Sequence, residues 1–522
     1  YRADSSLIFK AMEDEMAHVC HELATRHNTV PLFVNYVLER THTSGTESSG
    51  GVCVNKRDSG IKNNIAAHIF LGDSLMTSDT GNELNAQSIP DEIGYGSIRN
   101  ALRTKSEIAY QDAVQRLDYK RTQLKQNPKP ADDAAVPEFK RMPPAVWIGP
   151  SALTNPCPVT DMEQLSNRLS KVFSDYPELF NHCVKVYQKR VDYYRLTSEG
   201  QKILQPDTVF HITARASIKT NGNEVKTEYY RLHVGGINDL PSEDALIGEL
   251  HQFAQYMQQK SMAPPVEDLY IGPALYEDGS AMELFAGKIA NYTHSYWLWR
   301  QNKSDRKHRY LGKQVFPSDL SVWQLGNDSV YNGTKLLGYR QVDADGTRPK
   351  TLPLIEKGIL KNMLTGRRPT LGCPTSTGNE HFYELNRDLK TAYTTGILHV
   401  TSNRPLPLGQ LRKRFLKSAK KAGLKHVYIF RHKRTSPYAL IRVDLNTGKE
   451  ELVEGKCYLP SIEQFRRIKA VSKEKMACNL NPTEGRGRGI IAPKAILLVD
   501  TELDITPNHG RHIDETLYEL RH

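Results

Sequence analysis

The chain has 522 residues, of which 39% are hydrophobic and 25% charged, and its net charge is +11. That length supports two or three domains with a sizeable core, and the composition suits a soluble globular protein. No apolar run approaches 18 residues, which excludes a membrane-spanning helix.

No signal peptide opens the chain, which starts at Tyr1 rather than Met. The expected compartment is periplasmic if a leader preceded it and cytoplasmic otherwise. Seven cysteines are widely scattered with no CxxC, so neither a disulfide framework nor a Cys-rich zinc site is expected.

Ile8, Met12, Met16, Val19 and Leu23 repeat at helical spacing and predict a helix over 5–26. Its His21 and His27 stand six apart, about 240° around the helix at ~100° per residue. They cannot share a metal as the two histidines of HExxH do. Thr41–Gly51 reads as a loop or a turn between strands, and strand-like segments follow to about Asp73. Residues 76–90 read as irregular. Ser97 is expected to cap a helix to Gln126, with Leu102, Ala109, Ala113, Leu117 and Leu124 on one face. The stretch 127–144 reads as an exposed connection.

A helix over 162–173 and a strand over 187–196 come next. Ile212, Ala214, Ala216 and Ile218 alternate, Asn221-Gly222 turns the chain, and Tyr230, Leu232 and Val234 alternate back, the pattern of a hairpin. A helix starts at Ser242 with Leu246, Leu250, Phe253 and Met257 on its buried face. Ser261–Pro265 breaks it, and the boundary between two domains, 1–260 and 266–522, is placed there.

Tyr270–Trp299 is the stretch around which the rest is organised. It begins as a short apolar run, becomes a helix through Ala281, Leu284, Phe285, Lys288 and Ile289, and ends in Tyr292, Tyr296, Trp297 and Trp299. It fits an active-site helix or a core helix with an aromatic belt, and spacing alone leaves both open. Asp343-Ala344-Asp345-Gly346 lacks the further ligands of a calcium loop and reads as a β-turn. Leu411–His426 predicts an amphipathic helix, with Leu411, Phe415 and Ala419 on one face and Lys413, Lys417 and Lys421 on another. Arg431–Arg434 follows it. This basic run reads as a solvated face rather than a phosphate-binding surface. Residues 490–505 read as a closing strand pair.

Several segments, in this order, resemble the TldD/PmbA proteins, named both for zinc peptidases and as modulators of DNA gyrase. They are the early helix, Tyr194–Gly200 and the hairpin after it, Gly272–Leu275 through Glu283-Leu284-Phe285, Asp345-Gly346, Leu354–Leu360, Ser376–Asn379, and Ile491–Pro493 to Glu502-Leu503. The resemblance implies an α+β fold of two domains: an N-terminal α/β sandwich-type domain and a strand-rich C-terminal domain of mostly antiparallel sheet. It also implies a bacterial protein of the longer branch of that group.

Catalytic members carry HExxxH on the central helix, and a distant cysteine completes the zinc site. Laid over this chain, the motif falls on Tyr276–Ala281. Glu277 takes the place of the general base, while Tyr276 and Ala281 replace the histidines; Cys478 is the candidate downstream cysteine. Catalytic zinc needs three protein ligands and an open position for water. No zinc is therefore expected here, and Glu277 is a remnant. The resemblance then implies a non-catalytic protein that binds a peptide or unfolded segment, as a homodimer or as the partner of a catalytic member. Glu283, His294, Trp297 and Trp299 are the candidate peptide-binding residues. An active peptidase with a rearranged site, using Glu277, Glu283, His294 and Cys478, is one alternative. A nucleic-acid or gyrase-associated module using 411–434 is another, less expected one.

Overall fold

The computed structural model describes residues 2–79, 86–90, 93–129, 134–154, 156–220, 224–266, 269–293, 310–326, 328, 330–369, 371–385, 388–457, 460–480 and 488–504. The first half contains helix α1 (Arg2–Arg26), strands β1 (Phe33–Ser49), β2 (Val52–Phe70) and β3 (Ala86–Ile89), and helix α2 (Tyr95–Gln126). Strand β4 (Ala145–Ile148), helix α3 (Val159–Lys171), strands β5 (Phe180–Thr197), β6 (Gln201–Lys219) and β7 (Val225–Val234), and helix α4 (Glu243–Ser261) complete it.

Its strands form one sheet in the order β3-β2-β1-β5-β6-β4, with β7 also pairing β6. Alternation along the strands sorts the two faces. Val34, Tyr36 and Leu38 of β1 and Tyr194 and Leu196 of β5 pack under α1 and α2. Val184 and Val186, on the same side of β5, pack with α3 and α4. The residues between them, Val37, Val191 and Tyr193, turn the other way and meet Ala344 and Phe382 of the second half. The rings of Tyr193 and Phe382 stack with centroids 5.0 Å apart.

The second half begins with β8 (Tyr270–Asp278) and α5 (Gly279–Thr293). Strand β9 (Leu320–Leu325), a small ladder of β10 (Val330–Tyr331) and β11 (Thr334–Lys335), and strands β12 (Leu352–Glu356), β13 (Ile359–Leu360), β14 (Glu380–Leu385), β15 (Asp388–Tyr393) and β16 (Ile397–Ser402) come next. Helix α6 (Leu408–Lys421), strands β17 (His426–Lys433), β18 (Ser436–Asp444), β19 (Glu450–Val453) and β20 (Lys456–Cys457), and the single turn α7 (Ile462–Phe465) follow. Strands β21 (Ala470–Val471), β22 (Lys475–Leu480), β23 (Arg488–Pro493) and β24 (Ala495–Asp504) close it.

Two sheets dominate this half, ordered β13-β12-β9-β16-β23-β22 and β19-β18-β17-β8-β24-β20. Most pairs are antiparallel; β8 with β17 and β16 with β23 are parallel. Helix α5 packs against strands of both sheets, with Ala281, Met282, Leu284, Phe285 and Ile289 in their common core. The fold is the α+β architecture expected, largely antiparallel in its second half. None of the described helices is long and apolar enough to cross a membrane.

Several local expectations are corrected. Thr41–Gly51 is not a loop: β1 runs through to Ser49, and the chain turns only at Gly50 and Gly51, both at positive φ. Its Thr and Ser residues sit well on a pleated ladder, and Gly45 gives way to Tyr187 of β5, which a Cβ would strike. Helix α2 starts at Tyr95, with Gly94 rather than Ser97 at the cap; Ser97 Oγ instead accepts the Gly94 N–H at 2.8 Å. Residues 127–144 are not uniformly exposed: Glu138 and Phe139 are buried, Phe139 against Phe33 and Phe70. Residues 86–89 are strand, not irregular chain. The expected strand pair does form two strands over 490–504, but β23 and β24 separate at Lys494 and join different sheets. The hairpin strands pair as expected, Ile212 opposite Leu232; its Asn221-Gly222 turn lies outside the described residues.

Candidate functional site

The site grows from the end of β8. Strand alternation turns Tyr276 and Glu277 to opposite faces. Tyr276 is buried, with its ring stacked on Phe430 at 4.6 Å. Glu277 turns toward α6 and is held by two arginines. Arg412 donates from Nε to Oε1 and from Nη2 to Oε2, both at 2.8 Å. Arg431, its register partner on β17, donates to Oε2 from Nε at 3.0 Å and Nη2 at 2.8 Å. Burial pushes the Glu277 carboxyl up, but the hydrogen bonds of Arg412 and then Arg431 outweigh it and hold the group below its ordinary value.

Asp278 ends the strand in the left-handed region, φ 56°, with its carboxylate facing Lys494 at 3.3 Å and Lys433 at 4.0 Å. Gly279 then opens α5. A Cβ there would stand 2.8 Å from the His432 carbonyl and 3.1 Å from the His432 ring, so glycine gives His432 its place. One turn on, Glu283 Oε1 meets His432 Nδ1 at 2.6 Å. Tyr438 of β18, φ 52°, lays its ring over His432 at 4.4 Å. Two non-glycine residues at positive φ thus flank the Glu283–His432 pair, backbone strain of the kind that gathers at binding and catalytic sites. Cys478 of β22 lies near enough to feel Glu283: burial first, then that carboxylate, push its thiol up to about 12.

These positions decide the expected residues one by one. Glu277 is buried and spent on arginines. Glu283 stands at the junction, and Cys478 is within electrostatic reach of it. His294, Trp297 and Trp299 lie outside the described residues. Tyr292, at the start of the aromatic run, is core: it is buried, and its hydroxyl accepts from Arg466 at 2.7 Å. The basic run of 411–434 is only partly a solvated face. Lys413, Lys417 and Lys421 are exposed, whereas Arg412 and Arg431 turn to Glu277, and Arg434 to Glu249.

The donor set does not fit the zinc of catalytic relatives. Tyr276 is locked under Phe430, Ala281 is wholly buried and has no donor atom, and both Glu277 oxygens are taken. Among the described residues, no three His, Cys, Asp or Glu side chains gather as a metal-holding group.

A second charged cluster, which sequence reasoning missed, lies where the first sheet meets the second half. Arg195 of β5 donates to the Ala344 carbonyl at 2.7 Å and faces Asp345 at 2.9 Å. Arg367 binds Asp345 at 2.6 Å and Glu199 at 3.1 Å, and Arg368 binds Asp79 at 2.6 Å. Asp343 closes the expected β-turn by accepting the Asp345 and Thr347 N–H groups, each at 2.9 Å. Burial first, then Asp345, push both Glu380 and Asp343 up. Against burial, Arg367 and Arg195 hold Asp345 well below its ordinary value. The Asp343/Asp345 spacing and the Arg367-Arg368 pair were visible in the sequence; that they meet was not.

Residues 278–397, beginning at this strand–helix junction, match the family described as the PmbA/TldA metallopeptidase C-terminal domain. No curated protein matches the chain. Among solved structures, a Thermotoga maritima MSB8 protein named as a modulator of a DNA gyrase superposes with TM-score 0.60 at 13% identity, covering 94% of this chain and 100% of that one. TldE from Thermococcus kodakarensis gives 0.57 at 11% identity, covering 94% and 99%. A Bacteroides thetaiotaomicron VPI-5482 protein, also named as a modulator of DNA gyrase, gives 0.56 at 10%, covering 95% and 98%. Identities this low carry the fold alone, and the matched segment, residues 278–397, is what ties this chain to the TldD/PmbA family.

Proposed function

We propose that this chain is a non-catalytic member of its family, which binds an extended peptide and works beside a metal-bearing member in proteolysis or peptide maturation. The observation that carries the reading is the double arginine clamp on Glu277. A general base must be free to take a proton from water. This carboxylate has both oxygens occupied and is held in its ionised, unreactive form. The fold shared with TldE is compatible with a partnering role. For the peptide, β22 offers an edge: among the described residues it pairs only with β23, and its residues are half-buried rather than enclosed. Main-chain pairing there would be tolerant of sequence. We also read 1–260 and 266–522 as two domains, since every strand of the first sheet precedes residue 235.

A second reading, an active peptidase with a rearranged metal site, draws on Glu283, His432 and Cys478. It is weakened because Glu283 and His432 are bound to each other and the thiol stays protonated at neutral pH. One experiment separates the two. Protein purified from its native source is assayed for metal, for peptidase activity and for copurifying chains. A family partner travelling with metal-poor, inactive protein supports the first reading. Stoichiometric zinc, removed by chelator together with peptidase activity, establishes the second.

A further inference from the structure

Strand β22 ends its sheet, so among the described residues one side of it is open. Alternation splits its side chains into two sets. Met476, Cys478 and Leu480 turn inward and pack against the apolar core around α5. Lys475, Ala477 and Asn479 turn to the outer face, where Ala477 packs against Leu336, Ile397 and Ile491. The backbone alternates too. Lys494 donates its N–H to the Glu474 carbonyl at 2.8 Å, which makes these two a hydrogen-bonded pair. In an antiparallel ladder such pairs recur at every second residue. Met476 and Cys478 therefore spend their N–H and C=O groups on Ala492 and Ile490, while Lys475 and Ala477 point theirs to the open side. Pro493, which has no N–H to give, falls opposite Lys475, in agreement.

The outer residues differ in what they have left to offer. Asn479 is occupied: its Oδ1 accepts the Leu337 N–H at 2.9 Å and its Nδ2 donates to the Lys335 carbonyl at 3.0 Å. Lys475 is half-buried, and its Nζ donates to His399 Nε2 at 2.8 Å. Burial, then Lys475, push His399 down to about 4, so the ring accepts as the neutral form. An ammonium has three N–H groups, and two remain. Lys475 makes no ion pair among the described residues, and burial pushes its pKa down with no carboxylate to counter it. A carboxylate brought to this reachable cation relieves that cost.

We propose that the peptide received by β22 is amphipathic with a two-residue period, carrying apolar residues opposite Met476, Cys478 and Leu480 and an acidic residue opposite Lys475. The apolar set continues the inner side of the sheet. The acidic residue stands beside Lys475, because side chains directly opposite across two strands are neighbours on one face, with Cβ atoms about 4.5–5.5 Å apart. The inference rests on the peptide-edge part of the proposed function. It adds selection by side chains to a main-chain pairing that is itself tolerant of sequence.

The test is fluorescence anisotropy of three N-terminally labelled, C-terminally amidated hexapeptides titrated with the full chain. Run antiparallel to β22, Val-Thr-Val-Thr-Val-Glu sets its valines opposite Leu480, Cys478 and Met476 and its glutamate opposite Lys475. The second peptide ends in lysine instead, and the third, Val-Val-Val-Thr-Thr-Glu, keeps the composition without the alternation. The first is expected to bind at least about fivefold more tightly than either, the scale of exchanging an opposite-charge cross-strand pair for a like-charge one. Lys475→Glu should reverse the preference between the glutamate and lysine peptides. Ala477→Pro removes an outward N–H, leaves the ladder to β23 intact and should abolish binding. Equal binding of all three peptides, or a preference that Lys475→Glu leaves unchanged, overturns the selection and leaves the peptide edge standing. Binding that survives Ala477→Pro, or no binding of any of the three, overturns both.

Discussion

Arg412 and Glu277 are 135 residues apart and meet in a two-pronged ion pair, 2.8 Å on each oxygen. One comes from an amphipathic helix and the other from the end of a buried strand. Their meeting makes Glu277 a structural anion with both oxygens held.

Removing an arginine from this anion should cost stability. Loss of one partner from a buried pair costs roughly 3–5 kcal/mol. Arg431 is 17% exposed, so Arg431→Ala should approach the lower end of that range. Arg412 is 38% exposed, so Arg412→Ala should cost less. Urea unfolding of each variant measures it. Near-parental stability in both would mean that Glu277 is not held as described.

Restoring the motif histidines should not restore a metal site. In Tyr276→His/Ala281→His the new rings enter packed core, which costs about 1–3 kcal/mol for overpacking at Ala281 alone. Glu277 stays clamped. Metal analysis of the purified double variant should find no stoichiometric zinc, and a full equivalent would contradict the clamp's effect.

The two glycines of α5 should respond oppositely to alanine. At Gly279 a Cβ meets His432 at 2.8 Å, so Gly279→Ala should destabilise by about 1–3 kcal/mol and disturb the Glu283–His432 pair. At Gly287 a Cβ meets nothing within 4 Å, so Gly287→Ala should stabilise by up to about 1 kcal/mol. Thermal melts of the two variants side by side provide the comparison.

The charged cluster between the first sheet and the second half makes stability depend on pH. Burial, then Asp345, raise Glu380 to about 8 and Asp343 to about 7, from ordinary values of 4.5 and 3.8. The folded chain therefore holds protons that the unfolded chain releases. Their contribution is complete below the unfolded values and is lost as pH rises through 7 and 8. Asp345 is shifted the other way by Arg367 and Arg195, so its contribution is present above its unfolded value and lost on strong acidification. The melting temperature should fall between pH 6 and pH 9, and Glu380→Gln should flatten much of that fall. An unchanged slope in Glu380→Gln would place the proton elsewhere.

Cys478 should become easier to ionise when its neighbouring carboxylate is neutralised. Burial and Glu283 together hold the thiol up at about 12. Glu283→Gln removes the second cause and leaves the first, so the thiolate absorbance should rise at a lower pH than in the parent. If it rises at the same pH, Glu283 and Cys478 are not neighbours.

The sequence by itself determined several of the elements and which of their sides are buried. Leu411, Phe415 and Ala419 mark the inner face of α6, Leu246 to Met257 that of α4, and Ile212 to Ile218 an alternating strand, because periodicity records local geometry. Tyr276 and Ala281 already stood where the resemblance lays the two motif histidines. Only the tertiary structure decided which charges meet. Arg412 reads as one more base in a cationic helix until β8 brings Glu277 to it. Asp345 reads as a turn residue until Arg195 and Arg367 arrive from distant parts of the chain. Ion pairs between distant segments leave no period in a sequence, because charge acts through space and is indifferent to position along the chain.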